Sequence, residues 1–506
     1  MMNTSLFHVI QRPFLLRNLF WAGLCSLMLA ACSSVEKLKQ ARDIAEQPAI
    51  FPDYRDVTLP PKVAPLRFQL TDPVSAALTV LSVEGKEWLT AANDRGQFLF
   101  DEDDWQEMLQ TAVGRSVEVK VYVRKKASDE WLRYRSFHWQ VTADPVDAYL
   151  AYRLIEPGYE LWNKMGIYQR ELASFDQEVI LENSLTEHNC MNCHTFCQQR
   201  PDRMLFHMRA TLPGTYVLRD GEIEKLNTKA SGKVNTLVYP SWHSSGRYIA
   251  FSVNNTRQAF HKRDANRVEV YDLASDVVVY DVERHEVVTD SLLYSDTAFE
   301  TFPTFAPDGR TLYFCSAQAR TMPGEFDQVK YSLCRTTFDP DTRRFGSQVD
   351  TLFNSRTTQR SASFPRVSPD GRWLVFTVAS YGNFSIWHRD ADLYLADLQQ
   401  GTVRPLVEAN SDEVESYHSW SSNSRWLVFS SRRMDGLYTR PYLMHLDAEG
   451  RGGKPFVLPQ ADPDTYTTFP LSYNLPEWIR DRVKVNPHDW AEKARDEGTP
   501  IRLVEP

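Results

Sequence analysis

Two cysteines and a histidine at residues 190–194 carry the strongest chemical signal in the sequence. The run Cys190-Met191-Asn192-Cys193-His194 has the C-x-x-C-H spacing, which is the attachment sequence of a c-type haem. On a helical turn the two thiols share one face and form thioethers with the haem vinyl groups, while the histidine coordinates the iron. The spacing therefore predicts one covalent haem c, bound through Cys190 and Cys193, with His194 as the proximal iron ligand.

Two other chemistries stay open for the same residues. One is a disulfide between Cys190 and Cys193. The other is a zinc site, because Cys197 adds a third thiolate and either His188 or His194 completes four ligands. Haem is the favoured interpretation because this five-residue match is rare in a random chain, although a haem site gives Cys197 no role.

The sixth ligand of the iron is not fixed by the sequence. Cytochromes use a methionine or a second histidine there, and Met208 and His207 are the nearest downstream candidates. If this stretch is a strand, the two side chains face opposite sides, so only one of them can meet the haem. Met322, an open position, and a purely structural role for Met208 in an apolar core are the alternatives.

The N-terminus has the features of a secretory signal. Arg12 and Arg17 precede the apolar stretch 19–29, which is too short to span a membrane. The run Leu29-Ala30-Ala31-Cys32 resembles the bacterial lipobox, which predicts a signal peptide over 1–31 and lipidation of Cys32. A lipid anchor in the cell envelope follows, and the lack of an acidic residue after Cys32 favours the outer membrane.

Composition narrows the class of protein. The chain has 506 residues, of which 42% are apolar and 24% charged, as in ordinary globular proteins. Its net charge is −9 and it has no basic tract, which argues against nucleic acid as a partner. No G-x-S-x-G, P-loop, G-x-G-x-x-G or H-E-x-x-H motif occurs, so an electron carrier or binding protein is favoured over an enzyme.

The elements before the cysteine motif divide into three parts. Residues 32–61 predict a tether, with Pro60 and Pro61 at its end. Residues 62–144 predict a β-sandwich of the immunoglobulin or fibronectin type, because Val117 to Val123 alternate with polar residues. One helix is predicted at 101–113 from its apolar spacing. Residues 145–202 are predicted as a helical connector that carries the haem motif.

A repeat follows the cysteine motif. Four segments begin at Tyr239, Phe302, Phe364 and Tyr417, and each combines a strand, a tight turn of the Ser-Pro-Asp-Gly type and an apolar strand. Such units of four strands are typical of β-propeller blades. The pattern predicts a propeller of five or six blades over 203–480, followed by a C-terminal tail at 481–506.

Two further cysteines lie in one predicted blade. Cys315 and Cys334 fall on successive strands, where a disulfide would be within reach. Two buried free thiols are the alternative.

The repeat resembles the blades of TolB-like β-propellers. With the lipobox and the C-x-x-C-H motif, the chain resembles bacterial lipoproteins that pair such a propeller with one c-type haem, most clearly in the runs 152–159 and 189–194. The resemblance implies a mainly β protein that is anchored by lipid and transfers electrons to or from a protein docked on the propeller. The alternative is a binding, scaffolding or sensor lipoprotein in which haem, or zinc at the same cysteines, is structural.

Overall fold

The computed structural model describes residues 38–125, 130–157, 163–228, 234, 236–262, 264 and 266–504. They form two compact units: one holds 38–51, 69–98 and 118–137, and the other holds 52–68, 99–117 and the chain from 138 onward. The predicted signal peptide, Cys32 and residues 158–159 of the run 152–159 lie outside the described residues. No helix in the described part of the chain is long and apolar enough to cross a membrane.

The N-terminal strands are short. They are β1 (Arg42–Asp43), β2 (Ile50–Phe51), β3 (Val57–Leu59), β4 (Phe68–Leu70), β5 (Ala76–Val83), β6 (Lys86–Ala91), β7 (Gln97–Phe98), β8 (Ser116–Arg124), β9 (Trp131–Arg133) and β10 (Phe137–Val141). In the first unit β5 pairs antiparallel with β6 and β8, and β9 pairs with β8 and, in parallel, with β1. The described part of the predicted tether is therefore structured, because β1, β2 and β3 lie within it.

The second unit contains the predicted helix, α1 (Glu102–Ala112). Asp101 caps it by accepting hydrogen bonds from the backbone N–H groups of Asp103 and Asp104. Trp105 on its buried face packs against Trp139 at a ring-centroid distance of 5.3 Å, and β3 pairs in parallel with β10 in the same unit. The sandwich at 62–144 stays a prediction, since the strands of this stretch are divided between the two units.

The rest of the second unit is a β-propeller of six blades. Blade one has β14 (Cys190–Phe196), β15 (Arg203–Arg209), β16 (Gly214–Arg219) and β17 (Glu222–Asn227). Blade two has β18 (Val238–Trp242), β19 (Tyr248–Phe260), β20 (Val268–Asp281) and β21 (Glu286–Val288). Blade three has β22 (Ala298–Phe305), β23 (Thr311–Gln318), β24 (Ser332–Asp339), β25 (Arg344–Phe345) and β26 (Asp350–Phe353). Blade four has β27 (Ser361–Val367), β28 (Trp373–Ala379), β29 (Asp392–Asp397) and β30 (Thr402–Pro405); blade five has β31 (Glu415–Trp420), β32 (Trp426–Ser431), β33 (Arg440–His445) and β34 (Phe456–Val457).

Blade six joins distant parts of the chain. Its outer strands are β11 (Tyr149–Ile155), β12 (Met165–Glu171) and β13 (Gln177–Glu182), and its innermost strand is β35 (Ser472–Ile479), which pairs antiparallel with β11. The helical connector predicted for 145–202 is therefore wrong, and the propeller begins at Tyr149 rather than at residue 203. Strands β11 and β12 are buried on both faces, so they lack the alternation that reveals a strand in sequence.

The C-terminal tail adds to the propeller. It holds α4 (Pro487–Lys493) and two strands, β36 (Thr499–Pro500) and β37 (Arg502–Val504), which extend blades one and two in parallel. Two shorter helices, α2 (Ser355–Thr358) and α3 (Thr465–Thr468), lie in loops of the propeller.

Each innermost strand carries the same backbone irregularity. Its pairing register shifts once, and one residue at that bulge has a left-handed φ. These residues are Cys193 (57°), Tyr239 (48°), Phe302 (50°), Phe364 (55°), Tyr417 (49°) and Leu475 (52°). The six bulges make the blades equivalent and show that the cysteine motif belongs to the propeller itself.

Candidate functional site

The bulge residues lie at the centre of the propeller. Ring centroids are 4.1 Å apart for Tyr239 and Phe302, 5.6 Å for Phe302 and Phe364, and 5.2 Å for Phe364 and Tyr417. Blades two to five thus contribute one packed aromatic ring each. Cys193 and Leu475 hold the equivalent positions in blades one and six.

The C-x-x-C-H motif forms the innermost strand of blade one rather than the predicted helical turn. Residues three apart in a regular strand face opposite sides, but the register shift between Asn192 and Thr195 interrupts this alternation. Cys190 and Cys193 are close enough that a charge on Cys193 raises the pKa of Cys190. Each residue is 8% exposed, and neither forms a disulfide.

His194 is buried and has unused hydrogen-bonding groups. Neither ring nitrogen makes a hydrogen bond of standard geometry among the described residues, although the backbone of Leu475 interacts weakly with the ring. Burial, helped by the positive charge of Arg153, lowers the pKa of His194 to about 3, so the ring is neutral at physiological pH. His418 occupies the same position in blade five, yet its Nε2 lies 2.9 Å from the carbonyl oxygen of Val375.

More unpartnered polar atoms surround the motif. The Oδ1 of Asn192 and the Nε of Arg153 are buried without a hydrogen-bond partner in the described chain. Arg153 does donate from Nη1 to the carbonyl oxygen of Met191 at 2.9 Å. Burial raises the pKa of Cys190, against the opposing charges of Arg153 and Arg209. Unsatisfied buried groups are rare in proteins, so a cluster of them indicates a missing ligand or solvent.

The two candidates for a sixth ligand differ in their surroundings. Strand β15 forms as predicted, and Met208 packs in the same apolar cluster as Cys190 and Met191. His207 is buried, and its Nδ1 lies 3.0 Å from the hydroxyl of Thr215. Met208 therefore stays a candidate ligand, whereas one ring nitrogen of His207 already has a partner. Met322 packs against the separate core of blades three and four.

The four ligands of the zinc alternative are not brought together. Cys197 belongs to a different apolar cluster from Cys190, and its Sγ lies 3.9 Å from the carbonyl oxygen of His243. His188 is exposed. Within the described ranges, no three His, Cys, Asp or Glu side chains are grouped so that they could hold a metal ion.

The disulfide predicted between Cys315 and Cys334 is not formed. Register pairs Cys315 with Leu333 and Cys334 with Phe314, so the thiols point to opposite faces of the sheet. Each thiol packs in its own apolar cluster, and both are buried.

The sequence around the cysteine motif matches the repeat of the other blades, although this match was not among the predictions. Cys193-His194-Thr195-Phe196 aligns with Tyr417-His418-Ser419-Trp420, the start of blade five. Small cysteine in place of an aromatic residue concealed the match. The same holds for Leu475-Pro476, which lies at the bulge of the inner strand of blade six.

The topology defines a six-bladed β-propeller protein. No family model matches the chain, and no curated protein matches it. Solved structures that it resembles include the periplasmic gluconolactonase PpgL of Pseudomonas aeruginosa, at 14% identity and a TM-score of 0.32 over 64% of this chain and 99% of that one. Another is the β-propeller domain of Cps50 (Swd1) from Myceliophteria thermophila, at 11% identity and a TM-score of 0.25 over 53% of this chain and 95% of that one. Prolyl oligopeptidase B from Galerina marginata matches at 9% identity and a TM-score of 0.32 over 66% of this chain and 42% of that one.

Burial of His207 predicts a loss of stability in acid. Its pKa falls from an ordinary 6.5 to about 3 in the folded chain because of burial, so the unfolded chain binds a proton that the folded chain excludes. The stabilisation is complete above pH 6.5 and is lost as the pH falls towards 3. We therefore compare the effect of His207→Gln on the free energy of unfolding at two pH values. This effect should be more favourable at pH 5 than at pH 8, by roughly 2 kcal/mol. Melting temperatures at the two pH values measure this, and exposed His138→Gln should show no such difference.

Proposed function

We propose that the chain is a monohaem c-type cytochrome whose haem is held by Cys190, Cys193 and His194 on the innermost strand of blade one. The observation that supports this is the contrast between two equivalent histidines. His418 uses Nε2 in a hydrogen bond to the neighbouring blade, whereas the equally buried His194 makes no hydrogen bond of standard geometry among the described residues and has only a weaker interaction with the backbone of Leu475. An imidazole that is kept neutral and has no strong hydrogen bond is available to coordinate a metal.

The surrounding residues fit this assignment. Cys190 and Cys193 influence each other electrostatically, and the positive charges of Arg153 and Arg209 favour the thiolate of Cys190. Met208 packs in the same cluster and supplies a thioether. When bound, haem would supply an iron that exchanges one electron.

The proposed role is electron transfer with a protein partner, by a TolB-like lipoprotein anchored to the outer membrane through Cys32. The net charge of −9 favours a partner with a basic docking surface and a rate of association that falls with salt. The alternative role, a binding or sensor propeller, would retain the fold without electron exchange.

Haem content tests the proposal directly. Because both thiols are almost buried in the folded chain, the full-length protein should be expressed together with a cytochrome c maturation system rather than mixed with haem after folding. Intact mass and the pyridine haemochrome spectrum should show one covalent haem, which Cys190→Ser with Cys193→Ser abolishes and Cys197→Ser retains. Bound zinc without any haem mass would overturn the assignment.

A further inference from the structure

A small cavity lies in the central channel on the C-terminal side of the six bulges. It has a volume of about 130 Å³, and the innermost strand of every blade contributes to its wall. Five aromatic residues form much of that wall: Phe196, Trp242, Phe305, Trp420 and Trp478. The volume has room for about four water molecules, or for one ion of a few heavy atoms. The cavity adjoins the proposed haem site, because Thr195 in its wall follows His194 and Arg366 interacts electrostatically with Cys193.

The polar groups of the cavity come from one equivalent position in each blade, two residues after the bulge. These residues are Thr195, Ser241, Thr304, Arg366, Ser419 and Glu477. Four of them are hydroxyl residues, so Arg366 is the basic group and Glu477 the acidic group of the set. If the repeat were strict, all six blades would have a small hydroxyl residue at this position. Blades four and six have charged residues instead, and packing alone does not require them.

The guanidinium of Arg366 has N–H groups that are available to a ligand. Its guanidinium stacks on the ring of Phe364 at 4.3 Å, which fixes its orientation. Nη1 donates to the carbonyl oxygen of Pro365 at 3.3 Å. Among the described residues, Arg366 interacts electrostatically with Glu477 and Cys193, and its hydrogen bond to Pro365 uses one of the five N–H donors of a guanidinium.

Glu477, which lies two blades away from Arg366, already accepts hydrogen bonds from blade one. Its Oε2 accepts hydrogen bonds from the hydroxyl of Thr195 at 3.2 Å and from the backbone N–H of Phe196 at 3.0 Å. The two charged groups still influence each other, because Arg366 lowers the pKa of Glu477 against the larger effect of burial. They therefore line one cavity as separate groups rather than as a closed ion pair.

We propose that this cavity binds a small carboxylate or planar oxyanion through the guanidinium of Arg366. A planar anion matches the fork of N–H groups that arginine presents. The aromatic wall excludes bulk water, which strengthens this attraction. The carboxylate of Glu477 opposes it and limits affinity. The inference goes beyond the proposed haem function, and its test with small anions has an outcome separate from the haem content of the protein.

Isothermal titration calorimetry of the full-length protein with acetate and with nitrate tests the proposal, and neutral acetamide provides the uncharged comparison. We expect both anions to bind and acetamide not to bind. Arg366→Gln should weaken anion binding by about tenfold or more, as loss of a charge-assisted hydrogen bond does. Arg372→Gln is the matched control, because Arg372 stacks on Trp373 at the same 4.3 Å but lies outside the cavity lining.

A second variant keeps the test independent of the stability of the first. Glu477→Gln removes the opposing charge while its side-chain oxygen can still accept from Thr195, so acetate should bind several-fold more tightly. The proposal is overturned if neither anion binds the unmodified protein at millimolar concentration, or if the Arg366→Gln and Arg372→Gln proteins bind acetate equally well.

Discussion

Replacing His194 with alanine should cause the loss of the original reduction potential and of the histidine-ligated haem spectrum, while the propeller still folds. The thioether cysteines remain in this variant, so covalent haem should still be present by mass. Because the ring of His194 makes only a weak interaction with the backbone of Leu475 in the described chain, its removal breaks no strong polar contact of the fold. A spectroscopic redox titration measures the loss, and circular dichroism checks that the fold is retained.

His418→Ala is the matched control for His194→Ala. Each histidine directly follows the bulge residue of its blade. His194 is 2% exposed and His418 is 1% exposed, and His418 has a hydrogen bond to the carbonyl oxygen of Val375. His418→Ala should therefore lower the free energy of unfolding by about 2 kcal/mol and leave the redox titration unchanged. If both variants lose stability equally and the His194→Ala protein keeps the reduction potential and spectrum of the unmodified protein, His194 is a packing residue like His418 and its assignment as the iron ligand fails.

The repeats of blades two to five could be predicted from sequence because their signals are local. Each combines an aromatic bulge residue, a tight turn and an apolar strand, as in Phe302 to Cys315. The helix at Glu102–Ala112 and the alternating strand β8 were predicted for the same reason. In each case neighbouring residues alone determine the pattern.

Blades one and six could not be recognised because their signals are not local. The inner strand of blade one carries cysteine at the bulge, so it was interpreted only through its C-x-x-C-H spacing. Blade six pairs Leu154 with Tyr473, residues that are more than 300 positions apart. No local pattern encodes such a pairing, which depends on closure of the whole ring.

The residues of the candidate site were predicted, but the strand that contains them was not. The spacing identified Cys190, Cys193 and His194, and β15 forms where it was expected. The helical turn was wrong, because the motif takes its conformation from the blade that contains it rather than from its own spacing. Arg366 and Glu477 were missed, since they are separated by more than 100 residues and meet only at the channel.

Closure of the ring by β35 leads to the second large expected effect. Trp478 on this strand is 1% exposed and pairs with Leu150 of β11, so it joins the two ends of the propeller. Trp478→Ala should lower the free energy of unfolding by about 3–5 kcal/mol, because it leaves a large cavity where the ring closes. Thermal unfolding measures the change, and Trp88→Ala on the N-terminal strand β6, whose ring is only half-buried, should cost less than about 1 kcal/mol. Trp478→Phe, which keeps most of the apolar volume, should fall between them. Equal melting temperatures for the Trp478→Ala and Trp88→Ala proteins would show that β35 does not carry the closure.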